Sequence, residues 1–188
     1  NNKYIERLHW FREQKGVAYF GPSPKSAALE IKRADGMKFL EKHGIETPAY
    51  KTFNSLADAE RHVWKTEERY VFKTLGDNED KSLSYCAKSP ADLIARLQRW
   101  QRLGMNPKGP VMLQEVIEGV ELGVSRWMGT EGWVGPYNEN FEHKKLFPGD
   151  IGPSTGEMGT AMFWSEPNRL FTATLKKMEA KLREEHYV

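Results

Sequence analysis

Apolar positions along the chain switch between two periods, and the switches mark the elements. Gly16 to Phe20 is a short apolar run closed by Gly21-Pro22-Ser23, which predicts a strand running into a turn. Ser23 or Ser26 can cap the helix that follows. From Lys25 the residues Leu29, Met37, Phe39 and Leu40 fall on helical spacings as far as Gly44, which suits a left-handed C-cap. One helix of about five turns, at roughly 3.6 residues per turn, is expected there. Ile45 to Phe53 carries Pro48 and alternating apolar positions, so it reads as a connection plus a short strand. Ser55-Leu56-Ala57-Asp58 fits a capping box that opens a helix to about Lys65. Tyr70 to Lys73 predicts a strand, Leu83 to Ala87 its partner, and Gly76 to Ser82 an exposed polar loop between them.

Ser89-Pro90-Ala91-Asp92 is a second capping signature, with proline at the first helical position and a helix extending to Leu103-Gly104. The pattern then turns to β. Val111 to Ile117, Glu121 to Met128 and Trp133 to Asn138 predict strands, separated by turns at Glu118-Gly119-Val120 and Thr130-Glu131-Gly132, and a mixed sheet is expected. Glu142 to Thr160 holds Gly149, Gly152, Gly156 and Gly159 and reads as a long loop, of a length that is usually functional or disordered. Glu166 to Glu185 reads as one amphipathic helix, with Leu170, Leu175, Met178 and Leu182 on one face.

Composition narrows the classes. A hydrophobic fraction of 39% with 12% aromatics in 188 residues can bury a core, which excludes a disordered chain. The net charge of +2, with both signs mixed along the length, offers no basic face to nucleic acid. Cys86 stands alone and cannot form an internal disulfide, which fits a reducing cytoplasm. No apolar run approaches the roughly 20 residues that span a bilayer, so no membrane is expected. The chain opens on Asn1 and stops at Val188, where a further β segment is expected to start, so it reads as a piece of a longer enzyme.

Taken singly, the charged candidates have plain readings. Lys73 suits an edge strand, Arg33 a solvated helix face, Glu121 an exposed strand, and His143 has no partner histidine at metal spacing. Their company changes the weighing. Tyr19-Phe20-Gly21-Pro22-Ser23 and His43-Gly44-Ile45-Glu46-Thr47-Pro48 are followed by Val71-Phe72-Lys73 with Gly76, Lys81 and Ser82. Next come Gln114-Glu115-Val116-Ile117-Glu118-Gly119-Val120-Glu121, then Glu142-His143-Lys144-Lys145, then Gly149-Asp150 and Gly152-Pro153-Ser154-Thr155-Gly156-Glu157-Met158-Gly159. Lysines delivered from a strand and a loop can neutralise a triphosphate, and repeated glycines let main-chain amides approach anionic oxygens.

In this order and at these separations the segments resemble the ATP-grasp ligases, most closely the phosphoribosylamine-glycine ligase family, from about Val17 to Val188. The resemblance implies an α/β ATP-grasp fold, truncated at both ends. Residues 1–45 would end a preceding domain, residues 46–112 would form a small lid, and residues 113–188 would begin a larger mixed-sheet subdomain. It implies ATP contacts from Arg33, Lys73, Gly76, Lys81, Gln114, Glu115, Ile117 and Glu121, with Glu115 and Ile117 meeting adenine through their main chain and Glu121 accepting from ribose. It assigns the substrate to His143, Lys144, Asp150, Pro153, Ser154, Thr155, Gly156, Met158 and Gly159, and catalytic roles to Lys81, Lys144 and Lys145. It further implies ATP and Mg²⁺ as cofactors, with no metal ligand inside this chain, and glycine and phosphoribosylamine as small-molecule partners in purine synthesis. Ser154, Glu157 and the acidic run Asp77-Asn78-Glu79-Asp80 depart from the family pattern. They keep two alternatives open: a ligase for another acid or amine, and a nucleotide-binding module without catalysis.

Overall fold

The structure, a computed structural model, describes residues 4–75 and 83–187. Gly76, Lys81, Ser82, the acidic run from Asp77 to Asp80, and Val188 lie outside them. The helices are α1 (Ile5–Lys15), α2 (Pro24–Ile31), α3 (Arg33–Lys42), α4 (Leu56–Val63), α5 (Pro90–Arg102), α6 (Arg169–Ala173) and α7 (Leu175–Glu184). The strands are β1 (Tyr50–Phe53), β2 (Tyr70–Thr74), β3 (Tyr85–Cys86), β4 (Val111–Glu115), β5 (Leu122–Gly129), β6 (Gly132–Phe147) and β7 (Ile151–Ser165). They form two compact units, one of residues 27–41 and 46–118, the other of residues 1–26, 42–45 and 119–188.

The first unit is built on a sheet of order β1-β4-β2-β3. Side chains alternate across it because successive residues of a strand point to opposite faces. Tyr70, Phe72, Val111 and Leu113 enter a core with Leu56, Ala59 and Val63 of α4 and Leu93, Leu97 and Trp100 of α5. Val71, Lys73, Met112 and Gln114 therefore belong to the other face. Both expected caps form: Ser55 Oγ accepts from Asp58 N at 3.1 Å and Ser89 Oγ from Asp92 N at 3.2 Å. Each starts its helix where the sequence places it.

The single helix expected from Lys25 to Gly44 is broken between Ile31 and Arg33. Across the break the backbone comes close to itself, since a Cβ on Gly36 would lie 2.3 Å from the Leu29 carbonyl oxygen, an approach that glycine permits. Gly36→Ala therefore sets two effects against each other. Removing glycine from a helix favours folding by about 1 kcal/mol. The clash is with backbone and demands a helix shift, which costs about 1–3 kcal/mol. The variant is expected to unfold at lower denaturant, and a raised midpoint would contradict the packing described.

The second unit corrects three expectations. Residues 17–20 form no strand; Gly16, at φ 64°, closes α1 through its N–H to Arg12 O, and Phe20 lies exposed against Trp127 with ring centroids 4.3 Å apart. The long glycine-rich loop expected from Glu142 to Thr160 is instead the end of a hairpin in a sheet of order β5-β6-β7. Glu142 pairs with Thr160, His143 with Gly159, Lys145 with Ser154, and Phe147 with Ile151. Between the middle two pairs β6 advances by two residues while β7 retreats by five, so the glycines serve an irregular ladder and not a free loop. Gly149 at φ 72° and Asp150 at φ 58° make the turn. The terminal helix is also two helices, divided at Thr174, which leaves the helical region at φ −122°, ψ −91°.

Every strand pairing among the described residues is antiparallel, where a mixed sheet was expected. Short turns joining β5 to β6 and β6 to β7 permit only that arrangement. The core of this unit is Tyr137 with Phe171 and Leu175. Residues 42–45 join it through Lys42 to Glu185 at 2.6 Å and Lys177 Nζ to Gly44 O at 2.7 Å.

Candidate functional site

In the first unit β2 and β4 lie side by side, which brings Lys73 and Gln114 together on the face away from the core. The Lys73 ammonium donates to Gln114 Oε1. Gln114 is almost fully buried, so its amide oxygen is committed to the lysine. Arg33 of α3 donates from Nη1 to Thr74 O at 3.2 Å, the residue after Lys73. Burial lowers the Lys73 pKa, and the positive charge of Arg33 lowers it further. Burial also lowers that of Arg33. Two half-buried cations thus repel each other, an arrangement that a bound anion would relieve.

Glu115 closes β4, and its N–H is taken by Ala49 O at 2.8 Å. Any adenine amine recognised there must use the Glu115 carbonyl, with the exposed Ile117 two residues on. A cavity of about 590 Å³ lies in the same unit, lined by Tyr50, Lys51, Arg69, Tyr70, Glu115 and Glu118 among others. Of the expected residues among those described, only Glu115 borders it. Arg69 and Glu118 pair at 2.8 Å in its wall, while Glu67, Glu68 and Glu115 outnumber Lys51, so the lining carries more acids than bases.

In the second unit Lys144 is the hub. Its ammonium donates to Glu121 and lies 3.1 Å from Glu142 Oε2, while Asn140 Nδ2 donates to Glu142 Oε1 at 2.7 Å. Thr155 Oγ1 donates to Lys144 O at 2.9 Å. The Glu121 contact raises the Lys144 pKa above that of a free lysine, burial opposes it, and Glu142 adds to the rise. Lys144 and then Asn140 hold the Glu142 carboxyl below its usual range.

The remaining expected residues sit along the same hairpin. His143 faces back through Nε2 to Phe147 O at 3.2 Å, Lys145 pairs with Ser154 in the ladder, and Asp150 occupies the turn. Pro153, Ser154, Gly156, Met158 and Gly159 are exposed on β7. Asn140 and Glu142 were not among the expected site residues. Their signal was alternation: residues 140, 142 and 144 share one face once this stretch is a strand. Among the described residues no three His, Cys, Asp or Glu side chains gather as a metal site, and Glu121 and Glu142 are both engaged by Lys144. The donors described do not fit a magnesium ion held by this chain.

A family model described as phosphoribosylglycinamide synthetase, ATP-grasp (A) domain, matches residues 35–184. A curated phosphoribosylamine–glycine ligase from Helicobacter pylori is 27% identical over 178 residues, covering 89% of this chain and 40% of that protein. One from Methanosarcina acetivorans is 29% identical over 148 residues, covering 78% of this chain and 33% of that protein. The chain thus spans about 40% or less of the length of these relatives. Among solved structures, the phosphoribosylamine–glycine ligase of Thermotoga maritima superposes with a TM-score of 0.62 at 23% identity, over 96% of this chain and 47% of that one. The D-alanine–D-alanine ligase of Bacillus anthracis does so at 0.51 and 16%, over 92% and 54%. These likenesses show the fold. Among the described residues no helix is long and apolar enough to cross a membrane.

Proposed function

This chain belongs to the phosphoribosylglycinamide synthetase ATP-grasp (A) domain family, and on that premise we propose that it binds ATP for a carboxylate-amine ligase. The reaction would pass the γ-phosphoryl group of ATP to a carboxylate, and an amine would then attack the acyl phosphate and release phosphate. The acid and amine in this reading are glycine and 5-phosphoribosylamine, in a cytoplasmic pathway of purine synthesis. The observation that carries it is the pair of half-buried cations: Arg33 donates to the carbonyl of Thr74, next to Lys73, and its charge adds to the burial that lowers the Lys73 pKa. Buried charges are tolerated where a ligand of opposite charge completes them.

Roles follow from chemistry. Arg33 and Lys73 take phosphate oxygens, the Glu115 carbonyl and the Ile117 amide take the adenine edge, and Gln114 holds Lys73 in place. Gly76 and Lys81, outside the described residues, keep the phosphate role that the resemblance gives them. Glu121 takes ribose, while Lys144, Lys145 and His143 with Asp150, Pro153, Ser154, Thr155, Gly156, Met158 and Gly159 take substrate.

Two expected results test these roles. Glu121→Ala should weaken ATP binding by about 1–3 kcal/mol, the range for a hydrogen bond to a charged group, and the loss should shrink with 2′,3′-dideoxy-ATP. Equal losses for both nucleotides would place Glu121 elsewhere. Affinity should also depend on pH. The Lys73 pKa is lowered in the free protein, and a bound triphosphate would raise it, so ATP binding should take up a proton. Affinity is then full below the lowered pKa and falls as pH rises through it. Titrations in buffers of different ionisation heat would detect the proton, and no uptake at alkaline pH would contradict the role of Lys73.

ADP release, measured on the protein at the full length of its reading frame, tests the reaction. Turnover that needs ATP, glycine and phosphoribosylamine together supports the reading. Turnover only with another acid or amine favours the related ligase suggested by Ser154 and Glu157. ATP binding without ADP release for any pair favours a non-catalytic module.

A further inference from the structure

Lys144 is held more closely than an exposed lysine requires. Its ammonium has three donors, and two of them already face Glu121 and Glu142. Both oxygens of Glu142 are used: Oε2 lies 3.1 Å from Lys144 and Oε1 accepts from Asn140 at 2.7 Å. That fixes the carboxylate in rotation as well as in place. Asn140 in turn has room only because Gly123, its partner across β5 and β6, lacks a side chain; a Cβ there would sit 2.1 Å from Asn140 Oδ1. Thr155 pins the main chain of Lys144 at 2.9 Å, beside the irregular stretch of the ladder.

Stability does not account for this network, because exposed ion pairs contribute little. Glu121 is also the residue read here as the ribose acceptor; Lys144 occupies its Oε1, so ribose hydroxyls drawing on both carboxylate oxygens would compete with the lysine. We propose that Glu142, oriented by Asn140 in the space left by Gly123, is a positioning residue that retains Lys144 when Glu121 turns to the nucleotide. The assignment rests on the ATP reading above. Lys144 then stays on the face of β6 where its free N–H can meet an anionic oxygen of substrate. Glu142 and Asn140 touch no ligand themselves; they act through the lysine.

Competitive acetylation of the whole chain, read by mass spectrometry against the solvent-facing Lys38 as reference, reports the reactivity of Lys144 as a function of pH. In Glu142→Gln and in Asn140→Ala, labelling of Lys144 should rise by about two- to fivefold and its pH profile should move to lower pH. Glu142→Asp, which keeps the charge, should restore part of the protection. Gly123→Ala should behave like Asn140→Ala, which guards against an effect of deleting the amide as such. A Lys144 profile unchanged in both Glu142→Gln and Asn140→Ala would overturn the proposal. These measurements need no nucleotide. Adding ATP to the wild type is a separate arm: ATP should alter Lys144 labelling, and more so in Glu142→Gln. If ATP binds elsewhere or not at all, the wild-type profile stays put on addition and the nucleotide reading fails, whatever the nucleotide-free arms say. If ATP changes labelling equally in wild type and Glu142→Gln, the retaining role of Glu142 is refuted while ATP binding stands.

Discussion

Lys73→Ala is expected to weaken ATP binding by about 10- to 100-fold while leaving the fold intact or slightly firmer. The size follows from losing a hydrogen bond between charged groups, about 1.5–3 kcal/mol. The stability follows from the opposite sign of the same charge in the free protein. Burial and Arg33 both disfavour the Lys73 ammonium, and among the described residues its hydrogen-bond acceptor is the neutral Gln114. Removing it relieves that repulsion, although Gln114 then loses its donor. Calorimetric titration with ATP and a denaturant midpoint, on the same preparation, separate the two effects. Unchanged affinity would remove Lys73 from the phosphate site. Weakened affinity accompanied by a collapse of stability would make the lysine structural instead.

The neighbouring residue predicts the reverse. Phe72 is fully buried in the core between sheet and helices, with its ring 5.1 Å from that of Trp100. Phe72→Ala should cost about 3–5 kcal/mol, from lost transfer energy and the cavity left behind. A cost below 1 kcal/mol would show that the alternation of β2 has been assigned to the wrong face. Positions 72 and 73 differ by one residue and by a half-turn of the pleat, so one serves stability and the other chemistry.

That alternation was legible in the sequence. Tyr70 to Lys73 and Val111 to Ile117 announced strands, and Ser55 and Ser89 announced the helices that cover one face. What could not be read was set by contacts distant in the chain. The helix from Lys25 to Gly44 breaks in two, with the Leu29 carbonyl close against Gly36, and no local propensity records that approach. The hairpin of β6 and β7 was hidden by its glycines, which usually mark loops but here ease an irregular ladder with turn residues at positive φ. Lys73, Gln114 and Arg33 were each nameable from the family resemblance. Their meeting needed the pairing of β2 with β4 and the placement of α3. Asn140 went unnoticed, and Glu142 was named in its motif without a role, because a face shared by residues 140, 142 and 144 exists only once the stretch is known to be a strand.

Equilibrium titration of ATP with Mg²⁺ into the purified protein decides whether this chain binds ATP. One nucleotide per chain is expected, weakened by Lys73→Ala and by Glu121→Ala, with the second loss reduced for 2′,3′-dideoxy-ATP. Absence of binding at millimolar ATP in a folded protein, or binding indifferent to both substitutions, would contradict this expectation.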